Sequence, residues 1–262
     1  MHLPIGVLAL LLCSVTLPAQ HPLAYVADVR LVTLAGSGAA LPGSAALWIN
    51  PAAVGAENDW SYGASALQLT GVSRLKVVTG QAHYRNVALQ LAATRLENYH
   101  ALRYGATYAR EIATGFRLGG TLTVFRQGIA GYSPLTGLLV SAGAQFRITD
   151  ALLTGAYLAV PSDRKVQALR AGVGLGYRIS ANVALYADCR YDSYWGYSVH
   201  TGIGYAPAET LMIRLGYDGG SGAFSLGSSV ALGKLVVADV AARYHPLLGG
   251  GGGAGFHRAG RR

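Results

Sequence analysis

The chain has 262 residues, of which 52 % are hydrophobic and only 13 % charged, and it carries a formal net charge of +9. That charge content is about half of what soluble domains carry, and after the N-terminus no apolar stretch is long enough to cross a bilayer as a helix. A soluble enzyme and a helical membrane protein both fit poorly. A transmembrane barrel, whose apolar residues alternate with small or polar ones, fits well; 36 glycines and 16 tyrosines suit a crowded lumen and a membrane–water boundary.

In chain order, residues Leu3 to Leu17 are almost continuously apolar, too short to span, and are followed by Pro18-Ala19-Gln20. This reads as an export signal over residues 1–20, cleaved near Ala19 or Gln20. Cys13 lies within it, and Leu12 stands where a lipoprotein signal needs a small residue. The mature chain then retains Cys189 alone, so no intramolecular disulfide and no Cys/His zinc site is expected. Residues 21–58 differ in character: Ala35 to Ala52 is rich in small residues and closes on Asn50-Pro51-Ala52. Small residues permit close packing in a narrow lumen, so 21–58 is predicted to form an N-terminal plug or periplasmic cap.

From Asp59 to Tyr244 the sequence divides into segments with period-2 alternation, the mark of strands with two unlike faces. In Trp195 to Tyr205, Trp195, Tyr197, Val199, Thr201, Ile203 and Tyr205 oppose Ser198, His200, Gly202 and Gly204. In Leu211 to Asp218, apolar Leu211, Ile213, Leu215 and Tyr217 oppose Met212, Arg214, Gly216 and Asp218. Leu169 to Ile179 and Val183 to Asp192 repeat the pattern, one face lipid-compatible and the other carrying every charge.

Thirteen such segments start near residues 59, 73, 86, 101, 116, 136, 151, 168, 182, 195, 210, 222 and 234. Tight turns are expected at Arg85–Asn86, Thr149–Asp150, Ser180–Ala181, Pro207–Ala208 and Gly233–Lys234, with longer links at Tyr132–Pro134, Pro161–Lys165 and Asp192–Tyr194. Short turns at one end and longer loops at the other describe an antiparallel β-barrel of the outer-membrane type over residues 59–262. A soluble sandwich would have to solvate its outer face mainly with Gly and Ala. Closed bacterial barrels have even strand numbers. The glycine-rich stretch from Gly249 is therefore either a degenerate fourteenth strand or a tail after a twelve-strand barrel.

Arg117, Arg170, Arg178, Asp188, Arg190, Arg214, Asp239 and Arg243 fall on the polar faces. They form either a basic, anion-selecting lumen or a set of pairs within a filled barrel; the second reading is favoured, since charges cannot face lipid cheaply. Trp195, Tyr197, Tyr205, Tyr217 and Tyr244 sit near segment ends and read as an interfacial aromatic girdle rather than a stacking site. Gly172 to Gly176 lies within an alternating strand and opens no helix, so it is not a dinucleotide loop. His83, His100, His200 and His245 show no metal-ligand spacing. Ser198 and His200 share the inward face, where no lipid substrate reaches them. No enzyme and no cofactor are expected. The basic residues are dispersed, which favours contact with outer-membrane lipid and lipopolysaccharide over nucleic acid.

The run Ala35 to Ala52, ending in Asn50-Pro51-Ala52, resembles the N-terminal signature of FadL-like outer-membrane barrels, and is closer still to the PorV/PorQ-like barrels of type IX secretion. The second half is similar too: Gly204-Tyr205 with Pro207 and Glu209, Leu211 to Tyr217 with its embedded Arg214, a hairpin at 219–227, and Asp239 followed by His245 and Leu248-Gly249. The resemblance implies a bacterial outer-membrane barrel of fourteen strands, with the Asn-Pro-Ala segment threaded into or under it. It also implies trimmed extracellular loops, since the chain is shorter than typical members. As function it implies a protein-binding component linked to type IX secretion, partnered by secretion-system proteins. The alternative is a FadL-like passive channel for a hydrophobic ligand.

Overall fold

The computed structural model describes residues 28–56, 60–68, 75–164, 166–233 and 235–258. The expected signal segment 1–20, Cys13 and the terminal residues 259–262 lie outside them. Fourteen strands run in chain order: β1 (Ser61–Gln68), β2 (Lys76–Tyr84), β3 (Val87–Leu96), β4 (Tyr99–Ala113), β5 (Phe116–Ile129), β6 (Leu135–Arg147) and β7 (Leu152–Pro161). They continue with β8 (Arg170–Arg178), β9 (Val183–Asp192), β10 (Gly196–Ala208), β11 (Leu211–Asp218), β12 (Ala223–Leu232), β13 (Val236–His245) and β14 (Gly249–Arg258). Each pairs antiparallel with its neighbours, and β14 pairs with β1, so the sheet closes into a barrel of the outer-membrane type. Among the described residues no helix is long and apolar enough to cross a membrane.

The glycine-rich stretch from Gly249 is thus the fourteenth strand and not a tail. Five consecutive glycines remain in the ladder because β13 holds the backbone of all five, and β1 holds Gly252 and Gly253 from the other side. Alternation survives around the whole circuit. The ladder aligns inward Arg170 with Asp192, and inward His200 with Asp218, while outward Ile203 meets Leu215 and Tyr217 meets Phe224. Leu89, Leu122, Val173, Leu215 and Phe224 are half or more exposed to the outside, the reverse of a soluble protein and as a bilayer requires.

Two local expectations are corrected. The turn after β10 is at residues 209–210, not Pro207–Ala208; Pro207 falls inside β10, where the register shifts between Tyr205 and Ala208. A residue without an N–H is tolerated at such an irregularity. The two barrel ends also differ less than expected. At the end carrying the β2–β3 hairpin, called here the turn end, links run from two to four residues. At the opposite, loop end they run from two, after β3, to eight, between β7 and β8.

Residues 28–56 occupy the barrel interior. A short helix, α1 (Val29–Thr33), is capped by Asp28, whose carboxylate accepts from the Arg30 N–H; two 3-10 turns follow, Ser44–Trp48 and Pro51–Ala56. Leu31, Leu34, Leu41 and Ile49 bury against one another and against inward Tyr157. Burial of one such side chain stabilises by roughly 1.5–3 kcal/mol. What lets this segment reach the wall is the absence of side chains opposite it. A Cβ at Gly119 would stand 2.6 Å from the Pro51 carbonyl carbon, and one at Gly143 would overlap the Asn50 amide oxygen. Inward Gly155, Gly216 and Gly227 on β7, β11 and β12 are occluded by Ala39, Ala35 and Thr33 in the same way, and Gly174 on β8 by the Asp188 carboxylate together with Ala39.

Candidate functional site

The inner segment is held by polar side chains as well as by shape. Asn50 is fully buried; its amide nitrogen donates to the carbonyls of Ala39 (2.6 Å) and Ala144 (3.0 Å), and its oxygen accepts from the Ala52 N–H (3.0 Å). The predicted Asn50-Pro51-Ala52 motif is therefore a clamp: asparagine supplies both donors and acceptor, and Pro51 and Ala52 lie against Gly119 of β5. Gln145 donates to the carbonyls of Ala39 and Leu41, and three strands further round, on β9, Asp188 accepts from the N–H groups of Gly38 (2.8 Å) and Ala39 (2.9 Å). The segment's irregular backbone thus finds the partners that a buried loop requires.

Of the eight charges expected to face the lumen, all but Arg178, which is exposed, are buried or half-buried. Asp188 pairs with Arg190 (3.2 Å), and Arg214 reaches Ser229, which donates in turn to Asp239. Asp239 also meets His257 (2.6 Å), and Arg243 meets Asp218 (2.7 Å). Arg170 is buried opposite Asp192 of β9. Arg117 and Arg178 stand apart from this group: Arg117 is buried opposite Glu111 of β4, and exposed Arg178 donates to the Asp150 carbonyl (2.7 Å) at the turn end. Several partners were invisible beforehand. Asp218 falls on the polar face but its partner Arg243 was not foreseen, His257 carried no distinguishing pattern, and Asp28, which pairs with Arg30 (2.8 Å) and accepts from Gln81, lies before the first strand. Burial alone would raise the Asp28 carboxyl, but the Arg30 guanidinium and N–H hold it below the ordinary carboxylate range.

Ser198 and His200, two apart on the inward face of β10, hydrogen-bond to each other (Oγ to Nε2, 2.9 Å). His200 Nδ1 lies 2.9 Å from the Ala35 carbonyl and 3.5 Å from Asp218. A carbonyl only accepts, so in the neutral ring Nδ1 carries the proton and Nε2 takes the Ser198 hydroxyl. Asp218 meanwhile accepts from Ser221, from the Gly220 N–H and from Arg243. The set therefore ties β10, the β11–β12 turn and the inner segment together.

The predicted girdle residues Tyr197, Tyr205, Tyr217 and Tyr244 are exposed on the outer wall, Tyr217 tilted against Phe224 at 4.9 Å. Trp195 precedes β10 in the turn from β9 and is only half-buried.

Among the described residues two cavities bear on the site. A groove of about 570 Å³ lies on the outer wall across β10 to β14, floored by Gly250 and walled by Ile203, Leu215, Tyr217, Phe224 and Tyr244. The second, about 50 Å³, is internal, between Leu47, Trp48 and Ile49 of the inner segment and Gln90, Arg103 and Arg170 of the wall. At its edge, Leu139 joins Phe125 and Ala159 in an apolar cluster on which Val166, from the β7–β8 link, packs. Gln167 and Ala168 of that link are buried as well, so it folds inward over this part of the loop end.

No known family model and no curated protein matches this chain. Solved structures do. The CymD monoaromatic hydrocarbon channel superposes with a TM-score of 0.72 at 10 % identity, covering 92 % of this chain and 100 % of that one. The toluene transporter TbuX of Ralstonia pickettii gives 0.66 at 14 % identity over 91 % and 99 %. A FadL homologue of Pseudomonas aeruginosa gives 0.56 at 10 % identity over 88 % and 97 %. At such identities the likeness establishes the FadL-like barrel fold.

Proposed function

We propose that this protein is a bacterial outer-membrane conduit of the FadL-like kind, passing small hydrophobic molecules passively, with residues 28–56 acting as its plug. The observation that carries the reading is where space lies. The lumen is bridged by the inner segment, which touches inward glycines from β5 round to β12 and is clamped by Asn50 and Asp188. A hydrophilic solute needs a continuous watery path and meets this packing instead. Apolar volume lies on the outer wall, in the groove beside Tyr217, Phe224 and Tyr244, where a hydrophobic molecule would pass into lipid. The proteins of similar fold described as a monoaromatic hydrocarbon channel and a toluene transporter agree with this substrate class. The outer wall, with its exposed tyrosines, meets lipid and lipopolysaccharide.

The PorV/PorQ-like reading, a protein-binding component of type IX secretion, rests on the sequence resemblance around Asn50-Pro51-Ala52. Apart from the β1–β2 and β7–β8 links, connections at both ends span five residues or fewer, which leaves little rim for a protein partner.

The test is entry of N-phenyl-1-naphthylamine, a hydrophobic dye that lipopolysaccharide excludes, into intact cells producing the barrel. Dye entry should rise severalfold over cells lacking it, with no conductance steps from the purified protein in planar bilayers. Steady conductance would replace the conduit with a porin. Unchanged dye entry with silent bilayers would return the protein-binding reading to the front.

A further inference from the structure

The internal cavity has a chemical asymmetry that the outer groove lacks. On the inner-segment side it is walled by the aliphatic side chains of Leu47 and Ile49, with Leu139 at its edge; facing them are Gln90, Arg103 and Arg170. Gln90 is 93 % buried, and its amide oxygen has no hydrogen-bond partner among the described residues. An unsatisfied buried acceptor is costly and rare in folded proteins. This one lines a space of about 50 Å³, more than one water needs. Gly105 keeps the space open: a Cβ there would sit 2.9 Å from the Thr123 hydroxyl and 3.1 Å from the Gln90 amide nitrogen.

We propose that this cavity receives the hydroxyl group of a small apolar alcohol or phenol, its hydrocarbon part resting on the Leu47–Leu139 side. The group that fits must donate, to satisfy Gln90 Oε1, and must turn an oxygen lone pair toward the positive charge of Arg103 and Arg170. A hydroxyl does both. A carboxylate only accepts and would set its charge against the Gln90 oxygen, and a hydrocarbon does neither. As a site for cargo, the cavity rests on the conduit reading, and it narrows the substrate class from hydrocarbons at large to hydroxylated ones. The space of about 50 Å³ holds little more than the polar end, so the ring rests beyond it, on the Leu47–Leu139 side.

The experiment is a 19F NMR titration of the refolded protein in micelles with 4-fluorophenol, 4-fluorotoluene and 4-fluorobenzoate, on wild type, Gln90→Leu and Gly105→Ala. Heat-modifiable gel migration confirms that each variant is folded. Wild type should show saturable binding of 4-fluorophenol about tenfold tighter than of 4-fluorotoluene, the order expected for one satisfied buried acceptor. Gln90→Leu should abolish that preference by weakening the phenol alone, and Gly105→Ala should weaken the phenol by filling the cavity. Equal binding of phenol and toluene, tighter binding of benzoate, an unaltered preference in folded Gln90→Leu, or no saturable binding (a water-filled cavity only) each overturns the proposal. Dye entry into cells is read separately. Its loss with the phenol preference intact would sink the conduit alone, and the reverse result would sink the hydroxyl site alone.

Discussion

Glycine builds two regions of this barrel, for opposite reasons. On the inward faces of β5 to β7 it stands where the inner segment already is: a side chain at Gly143 would overlap the Asn50 amide, and one at Gly155 would overlap the Ala39 carbonyl. At the start of β14 the same residue faces nothing, since a Cβ at Gly249 or Gly250 would meet no atom within 4 Å. Further along that strand the contacts return: a Cβ at Gly255 would come within 2.7 Å of the Ala64 carbonyl. A glycine count cannot separate the two situations. Only the partner across the lumen does.

Substitutions can break this contrast, beginning with the largest effect. Gly155→Val drives a branched side chain into the inner segment, with no flexible neighbour to yield. Overpacking of this kind costs roughly 1–3 kcal/mol and more where backbone is struck, so residues 28–56 should undock. Limited proteolysis of the folded barrel would then cut within 28–56, which wild type should resist. Asp188→Ala breaks a buried ion pair and strands the Gly38 and Ala39 N–H groups. A loss of about 3 kcal/mol is expected in urea unfolding followed by tryptophan fluorescence. Asn50→Ala leaves the Ala39 and Ala144 carbonyls without the amide and should cost roughly 1–3 kcal/mol in the same assay.

The contribution of Asp28 should appear as pH dependence. Its folded carboxyl titrates below the unfolded one. The stability it confers is therefore complete above the unfolded value of about 3.9 and drains away as pH falls through the lower, folded value. Unfolding midpoints taken downwards from pH 5 should decline less steeply in Asp28→Asn than in wild type; parallel curves would mean that Asp28 is unpaired in solution. The smallest effect is expected at Gly250→Ala. With open space and no left-handed backbone there, stability should stay level or rise by about 0.5 kcal/mol. A loss as large as that of Asn50→Ala would show that the β14 glycines are constrained like those facing the inner segment.

Much of the architecture was legible in the chain. Thirteen strand starts, the faces of Arg170, Asp188, Arg190 and Arg214, and the distinct character of the segment before β1 all follow from alternation and composition. The site was legible only in pieces. Asn50-Pro51-Ala52 stood out, but its clamp needs carbonyls from Ala39 and Ala144, eleven and ninety-four residues away. The hydrogen bond between Ser198 and His200 was passed over because spacing on a strand does not reveal what fills the lumen beside it. Pro207 misled as a turn marker because a register shift within β10 accommodates it.

What the sequence determined by itself is the class: strands with one lipid-compatible face, charges on the other, and small residues ahead of them. Alternation is a local property, written residue by residue through the period of the β-strand. Closure by β14, the choice of charge partners, the seat of the inner segment on glycines and the unsatisfied Gln90 in its cavity were decided by the tertiary structure. Each is a contact between parts distant in the chain, and no local pattern records a neighbour that arrives only when the barrel closes.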